Sequence, residues 1–199
     1  KRLPNKNKKN LCGKPLIVWT IEAAKKSNFV RDIFVSTDSE EIAQISKING
    51  AIVPRLRSKL LAEDGTSSFD TAMDFIEYFT KDDLGEMLLL QPTSPLRNSF
   101  HIDELMLQVR KQNSKQCVAV RDITKLYLLK NSKRRNKNKI YIPNGSIYYT
   151  QIKYLKKVKT FFSKGCDTYL MNDFCSIDID TQDEWNIAEA CLSKVIDSK

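Results

Sequence analysis

The chain has 199 residues, 41% of them hydrophobic and 29% charged, which suits one sizeable soluble domain and leaves too little for two. Its net charge of +9 is concentrated in residues 1–10, with five basic residues, and 130–139, with six, neither run holding an acidic residue. The apolar runs reach only four residues, as in Leu16-Ile17-Val18-Trp19, so no membrane span fits, and without an apolar stretch after the basic start no secretory signal is expected.

A strand-then-helix rhythm runs along the chain. Gly13-Lys14-Pro15 opens a helix through Leu16, Ile17, Thr20, Ile21 and Ala24, with proline at its first turn. Ile33–Ser36 is a short β-branched and aromatic run, expected as a strand. Ser39 starts a helix over 39–48, and Phe69, Ala72, Met73, Ile76 and Phe79 repeat at helical spacing on the next. Met87–Leu90 is continuously apolar and expected as a strand buried on both faces. A helix over 99–111 and a strand at Cys117–Val120 follow. The segment 121–150 breaks the rhythm and is expected to form a lobe or arm added to the sheet. The last helix begins at Thr181, where Glu184 closes a capping box.

This alternation predicts an α/β fold with a largely parallel sheet covered by helices on both faces, in one domain over 1–199. Ligands in such folds sit beyond the carboxyl ends of the strands. The strand that normally opens a doubly wound sheet is not found, because the sequence starts directly in the basic segment. The expectation is that this strand precedes Lys1 in a longer chain.

Composition narrows the chemistry. His101 is the single histidine, which excludes a histidine triad or a site with two histidine ligands, and its place on a one-sided helix points to a structural role. Cys12, Cys117, Cys166, Cys175 and Cys191 contain no C-x-x-C, so a zinc ribbon or thioredoxin-like pair is excluded and reduced thiols are expected. Basic runs call for an anionic partner. The run 130–139 has no aromatics interleaved for base stacking, so nucleic acid is the weaker reading, although Tyr127 and Tyr141 flank it.

Ser176-Ile177-Asp178-Ile179-Asp180 carries the most information. Read as a strand, it places Asp178 and Asp180 on one face, about 6.5–7 Å apart along the chain. Two convergent carboxylates suit magnesium, which takes one or two of them and completes its shell with water and phosphate. Spacing alone equally allows two solvent-facing aspartates at a helix N-terminus. Gln91-Pro92-Thr93-Ser94-Pro95-Leu96-Arg97 forms a stiff turn after a strand and offers Gln91, Thr93, Ser94 and Arg97 to a ligand, although a plain strand-to-helix connection explains the prolines equally well. Asn144-Gly145 signals a tight hairpin turn, or else a polar turn presenting an amide to a ligand.

Together KRLPNKN (1–7), LCGKPLIVWTIEAA (11–24), IFVSTDSEEIA (33–43), LRSKLLAEDGTSS (56–68), LLLQPTSPLR (88–97), PNGSIYY (143–149) and SIDIDT (176–181) resemble the acylneuraminate cytidylyltransferases, over nearly the whole chain and in order. The resemblance implies a Rossmann-like three-layer α/β/α nucleotidyltransferase fold with a mainly parallel sheet and a small dimerisation arm at about 121–150. It implies CMP transfer from CTP to a nine-carbon 2-keto sugar acid, a nonulosonic acid such as sialic acid, with Mg2+ as cofactor. Pyrophosphate leaves. By this resemblance Lys1 and Lys6 contact phosphates and Asn7 lies next to the nucleotide. Arg57 and Ser68 match nucleotide-binding positions, and Gln91 lies between nucleotide and sugar. Asn144 and Gly145 match the sugar-side turn, Arg134 an arginine near the sugar acid, and Asp178 and Asp180 the metal aspartates. A cytoplasmic homodimer is implied, or a nuclear one if the source is an animal, with no membrane or nucleic-acid partner. One departure stands out: the family often has arginine before Pro-Asn-Gly, where this chain has Ile142. The alternative reading is a catalytically inactive relative that keeps the fold for binding or assembly.

Overall fold

The computed structural model describes residues 3–62, 65–79, 85–130 and 139–197. Lys1 and Arg134 lie outside them. A short hairpin of β1 (Asn10–Leu11) and β2 (Lys14–Pro15) leads into α1 (Leu16–Lys25), and α2 (Glu40–Ile48) and α3 (Ser68–Phe79) follow. The main sheet holds β3 (Glu86–Leu90), β4 (Gln116–Asp122), β5 (Tyr141–Gln151) and β6 (Asp167–Leu170), in the order β3-β5-β4-β6. Between them lie α4 (Ser99–Gln112), α5 (Thr124–Lys130) and α6 (Ile152–Val158), and α7 (Gln182–Asp197) closes the described chain.

Three layers follow from period-two alternation in the strands. Leu88, Leu90, Cys117, Ala119, Ile147 and Tyr149 face α4, packing on Ile102, Leu105, Met106 and Val109. Met87, Leu89, Val118, Val120 and Tyr148 face the other way, onto Ala72 and Ile76 of α3 and Leu155 of α6. A third cluster packs Trp185, Ala188 and Leu192 of α7 on Leu11, Leu16 and Ile179. It ties the end of the described chain to its start.

The sheet itself corrects the expectation of mainly parallel pairing. Among the described strands only β4 and β6 run parallel, while β5 pairs antiparallel with both β3 and β4. The cause is the connection over 123–140, which returns to where it left: Ile123 N–H donates to Ile140 O at 2.9 Å. A chain that returns this way must run antiparallel to the strand it left. The end of the segment expected as an added arm is therefore the central strand β5, flanked on both sides.

Two other strand expectations change for want of neighbours. Met87–Leu90 packs on both faces yet is only half-buried, because β3 lies at the edge of the described sheet. Ile33–Ser36 forms no strand; Phe34 makes one isolated parallel bridge to Ile52. The helix signals hold. Ser39 caps α2 by accepting from Ile42 N–H, and His101 closes a capping box with Asn98, the structural role expected of it. All five cysteines are free, as expected. No helix among the described residues is long and apolar enough to cross a membrane.

Candidate functional site

An open cleft of about 340 Å³ lies beyond the ends of β3 and β4. Gln91, Arg121, Pro143, Asn144, Gly145, Tyr148, Ser176, Ile177, Asp178, Glu184 and Ile187 line it. Four of these, Gln91, Asn144, Gly145 and Asp178, are residues that the sequence singled out. They come from three distant stretches.

A large β-bulge joins them. Val118 pairs with Tyr148 and Val120 with Pro143, so residues 144–147 stand opposite Ala119 alone. Bulges re-aim a strand at the edge of a site. This corrects the hairpin expected at Asn144-Gly145: the dipeptide sits inside β5, and Gly145 takes φ +79° there. A Cβ on Gly145 would lie 2.7 Å from Gln91 Oε1 and 3.2 Å from Asp178 Oδ2, so glycine lets both side chains approach the backbone. Asn144 is buried and holds the bulge in place. Its Nδ2 donates to Ser176 Oγ at 2.9 Å, and its Oδ1 accepts from Ser146 N–H at 3.1 Å.

Residues 177–180 form no ladder, which corrects the strand expected there. Two single backbone bonds hold them instead, Ile179 N–H to Thr93 O and Leu3 N–H to Asp180 O, both at 2.8 Å. Ile179 is fully buried in the α7 cluster, so its neighbours turn away from that core. Asp178 reaches the cleft, while Asp180 Oδ1 accepts from Lys6 Nζ at 2.5 Å. Lys6 also donates to Ile179 O at 2.6 Å. Burial pushes the Asp178 carboxyl above its ordinary pKa, aided by the negative Asp180 and Glu184 and opposed by the Thr93 hydroxyl and Lys6.

The stiff turn of residues 91–97 is two consecutive turns, closed by Ser94 N–H to Gln91 O and Arg97 N–H to Ser94 O. Beneath it Arg97 is buried, and its Nη2 donates to Thr20 Oγ1 at 2.7 Å and to Gln91 O at 3.3 Å. Burial alone lowers the Arg97 pKa to about 10. That side chain anchors the residue from which Gln91 enters the cleft.

The remaining expected residues lie outside the cleft lining. Arg57 lines a small crevice with Ser36 and Asp74, its N–H bonded to Thr37 O, and Ser68 is exposed at the start of α3. Asn7 lies in the turn beside Lys6. Buried polar atoms without a hydrogen-bond partner are rare in proteins. Among the described residues there are seven such atoms, of which Asn7 Oδ1, Arg57 Nε, Ser94 Oγ and Asp178 Oδ1 are on residues expected to meet a ligand. Arg97 Nε and Nη1 are on the arginine that anchors the turn instead, and Ser146 Oγ is on a residue not expected to meet one.

Sequence reasoning missed Arg121, Tyr148, Ser176, Ile187 and the second role of Glu184. A polar residue near the carboxyl end of a strand was the available signal for Arg121. Glu184 was read only as a cap, and it does cap: its Oε2 accepts from Asp180 N–H and Thr181 N–H at 2.8 Å and from Thr181 Oγ1 at 3.0 Å. Burial alone would raise its pKa, but these donors bring it below the ordinary value. A lowered carboxyl stabilises the fold above its unfolded pKa and loses that contribution as pH falls through the folded value. Glu184→Ala is expected to lose about 1 kcal/mol at pH 7, or roughly 2–4 °C in Tm, with the deficit shrinking below about pH 4. Thermal melts of both proteins across that range check it.

Among the described residues no group of three or more His, Cys, Asp or Glu side chains converges on a metal position. An ion completed by phosphate and water needs fewer, and the buried, unpartnered Asp178 Oδ1 is a fitting carboxylate ligand. Asp180 is already engaged by Lys6.

A family model described as cytidylyltransferase matches residues 1–193. The chain is 38% identical over 216 residues to a CMP-N,N'-diacetyllegionaminic acid synthase of Legionella pneumophila, covering 96% of this chain and 91% of that protein. It is 34% identical to an N-acylneuraminate cytidylyltransferase of Streptococcus agalactiae, over 93% of this chain and 49% of that one. An Escherichia coli protein of the same name is 33% identical over 94% of this chain and 48% of its own length. The chain thus spans most of the first relative and about half of the other two. Among solved structures, a CMP:2-keto-3-deoxy-manno-octonic acid synthetase shares the fold, with a TM-score of 0.77, 16% identity, and 98% and 94% of the two chains covered.

Proposed function

Because the chain belongs to the cytidylyltransferase family, we propose that it transfers CMP from CTP to a nine-carbon 2-keto sugar acid and releases pyrophosphate. The observation that carries this reading is that four of the seven buried, unpartnered polar atoms among the described residues belong to Asn7, Arg57, Ser94 and Asp178, residues expected to meet a ligand. Such atoms are costly to leave unpaired, and a bound nucleotide and acceptor would satisfy them.

In this reading the anomeric hydroxyl oxygen of the acceptor forms a bond to the α-phosphorus as the bond from that phosphorus to the bridging oxygen of the β-phosphate breaks. Pyrophosphate leaves with that oxygen, and the hydroxyl proton passes to solvent. Gln91 and Gly145 hold the acceptor at the cleft floor, and Asn7 and Arg57 meet the nucleotide. Lys6 offers its ammonium to the phosphates. Positioning and charge stabilisation account for most of the catalysis in phosphoryl chemistry. Asp178, with Asp180 once Lys6 turns to phosphate, would hold a Mg2+ ion, whose chemistry is to neutralise phosphate charge and acidify a bound hydroxyl. We assign the protein to the cytoplasm, as a homodimer using the part of the 121–150 segment that precedes β5, since β5 is paired on both sides within the chain. Sedimentation of the purified chain tests the dimer.

The testing experiment is magnesium-dependent pyrophosphate release from CTP, with a panel of nine-carbon 2-keto sugar acids. Release with one acid supports the reading and names the acceptor. A folded protein that binds CTP and magnesium but releases nothing with any acid overturns it. Lys6→Met is expected to lower kcat/KM for CTP about 100-fold. If Lys6 served only to tie down Asp180, Tm would fall and kcat/KM would stay.

A further inference from the structure

Arg121, near the end of β4, lines the cleft and is the single basic residue to do so among the described residues. Its side chain is exposed and makes no hydrogen bond or ion pair with any described residue. Of the other cations described near the site, the half-buried Lys6 is engaged by Asp180, and the exposed Lys9 by Gln182 and the Trp185 ring. In β-pairing Arg121 stands directly opposite Ile142, next to the bulge that carries Asn144 and Gly145. The neighbouring charges of the cleft are both negative, Asp178 and Glu184. Among the lining residues Arg121 is the one positive charge that a carboxylate entering the cleft would meet.

We propose that Arg121 is the residue that recognises the carboxylate of the acceptor sugar acid, a deepening that rests on the transferase reading above. The cleft is taken as the acceptor side because Lys6, Asn7, Arg57 and Ser68 lie outside its lining, while Asn144 and Gly145, matched to the sugar-side turn, and Gln91, matched to a place between nucleotide and sugar, lie within it. A guanidinium presents a planar fork that fits a carboxylate with two parallel N–H···O bonds. As the one cation of a lining whose other charges are Asp178 and Glu184, it selects 2-keto acids over neutral sugars and fixes the orientation of the acceptor. Ile177 and Ile187, also in the lining, give the rest of the acceptor an apolar surface.

The test compares Arg121→Met and Arg121→Lys with the unaltered protein, using the acid that supports turnover. Melting temperature is the folding control, and the side chain's lack of partners predicts no change. Arg121→Met is expected to raise KM for the sugar acid at least tenfold and leave KM for CTP within twofold. Arg121→Lys recovers part of the loss, since it restores the charge and not the fork. The methyl ester of the same acid, offered to both proteins, should be used equally poorly. An unchanged KM for the acid in Arg121→Met overturns the assignment while the transferase reading stands. A raised KM for CTP instead assigns Arg121 to the triphosphate and also overturns it. An unaltered protein that binds and uses none of the acids overturns both readings together.

Discussion

Asp178→Asn is expected to slow pyrophosphate release from CTP by about 100- to 1,000-fold, while Tm at pH 7 stays equal or rises. Asp178 Oδ1 is buried without a partner, and burial first, then the negative Asp180 and Glu184, hold its pKa above the ordinary carboxylate value. An acid with a raised folded pKa binds its proton more tightly when folded. Its stabilising contribution is complete below the unfolded pKa of about 3.9 and is lost as pH rises through the folded value. At pH 7 the ionised Asp178 therefore costs stability. Asparagine, of the same shape and never ionised, carries no such cost. The signature is a Tm gain in the variant at neutral pH that fades in acid. Adding magnesium and CTP should raise Tm in the unaltered protein and much less in Asp178→Asn, since only a native state that binds ligand is stabilised by it. A variant that melts well below the unaltered protein at pH 7 would make Asp178 a structural residue.

The features legible in the sequence were those that local chemistry decides. Ser39 before Glu40-Glu41, and Thr181 three residues before Glu184, are caps whose partners lie within one turn, and both form as read. Period-two alternation in 87–90 and 117–120 correctly distributes side chains to two faces. What failed depended on distant partners. Asn-Gly serves a hairpin turn or a bulge equally well, because both ask only for a positive φ, and the register against 116–122 decides between them. The expectation of a parallel sheet assumed that each strand is followed by a crossover helix, whereas residues 123–140 return at the same end.

Asp178 and Asp180 are an intermediate case. Their alternation was read correctly and their strand was not, because alternation requires extended backbone and a ladder requires a neighbour. Burial of Ile179 fixes the direction of both aspartates with only two backbone bonds holding the segment. The lone pairing of Phe34 with Ile52 makes the same point from the other side: a strand sequence forms a strand only where the fold supplies an edge. The site in turn was legible at residues whose type limits their chemistry. Arg121 was not, because an arginine's role depends on which charges surround it, and those come from 178 and 184.

Gly145→Ala separates backbone strain from site geometry. At φ +79° an alanine costs about 1–2 kcal/mol, and at this chain length each kcal/mol lowers Tm by roughly 2–4 °C. Gly165 sits at φ +84° with nothing within 4 Å of where its Cβ would be, so Gly165→Ala should lose a similar amount. The two variants differ at the cleft. In Gly145→Ala the new methyl would lie 2.7 Å from Gln91 Oε1, a contact real Cβ atoms essentially never make, so the Gln91 amide must swing away. The Asp178 carboxylate, 3.2 Å from the same point, must give by a few tenths of an ångström. A misplacement of about 1 Å in a positioning group costs on the order of 100-fold in rate. Gly145→Ala is thus expected to lose about 100-fold in turnover at a temperature where it is fully folded, and Gly165→Ala to keep its full rate. Equal rates in the two variants would mean that neither Gln91 nor Asp178 needs its present place, and the cleft would lose its claim to the chemistry.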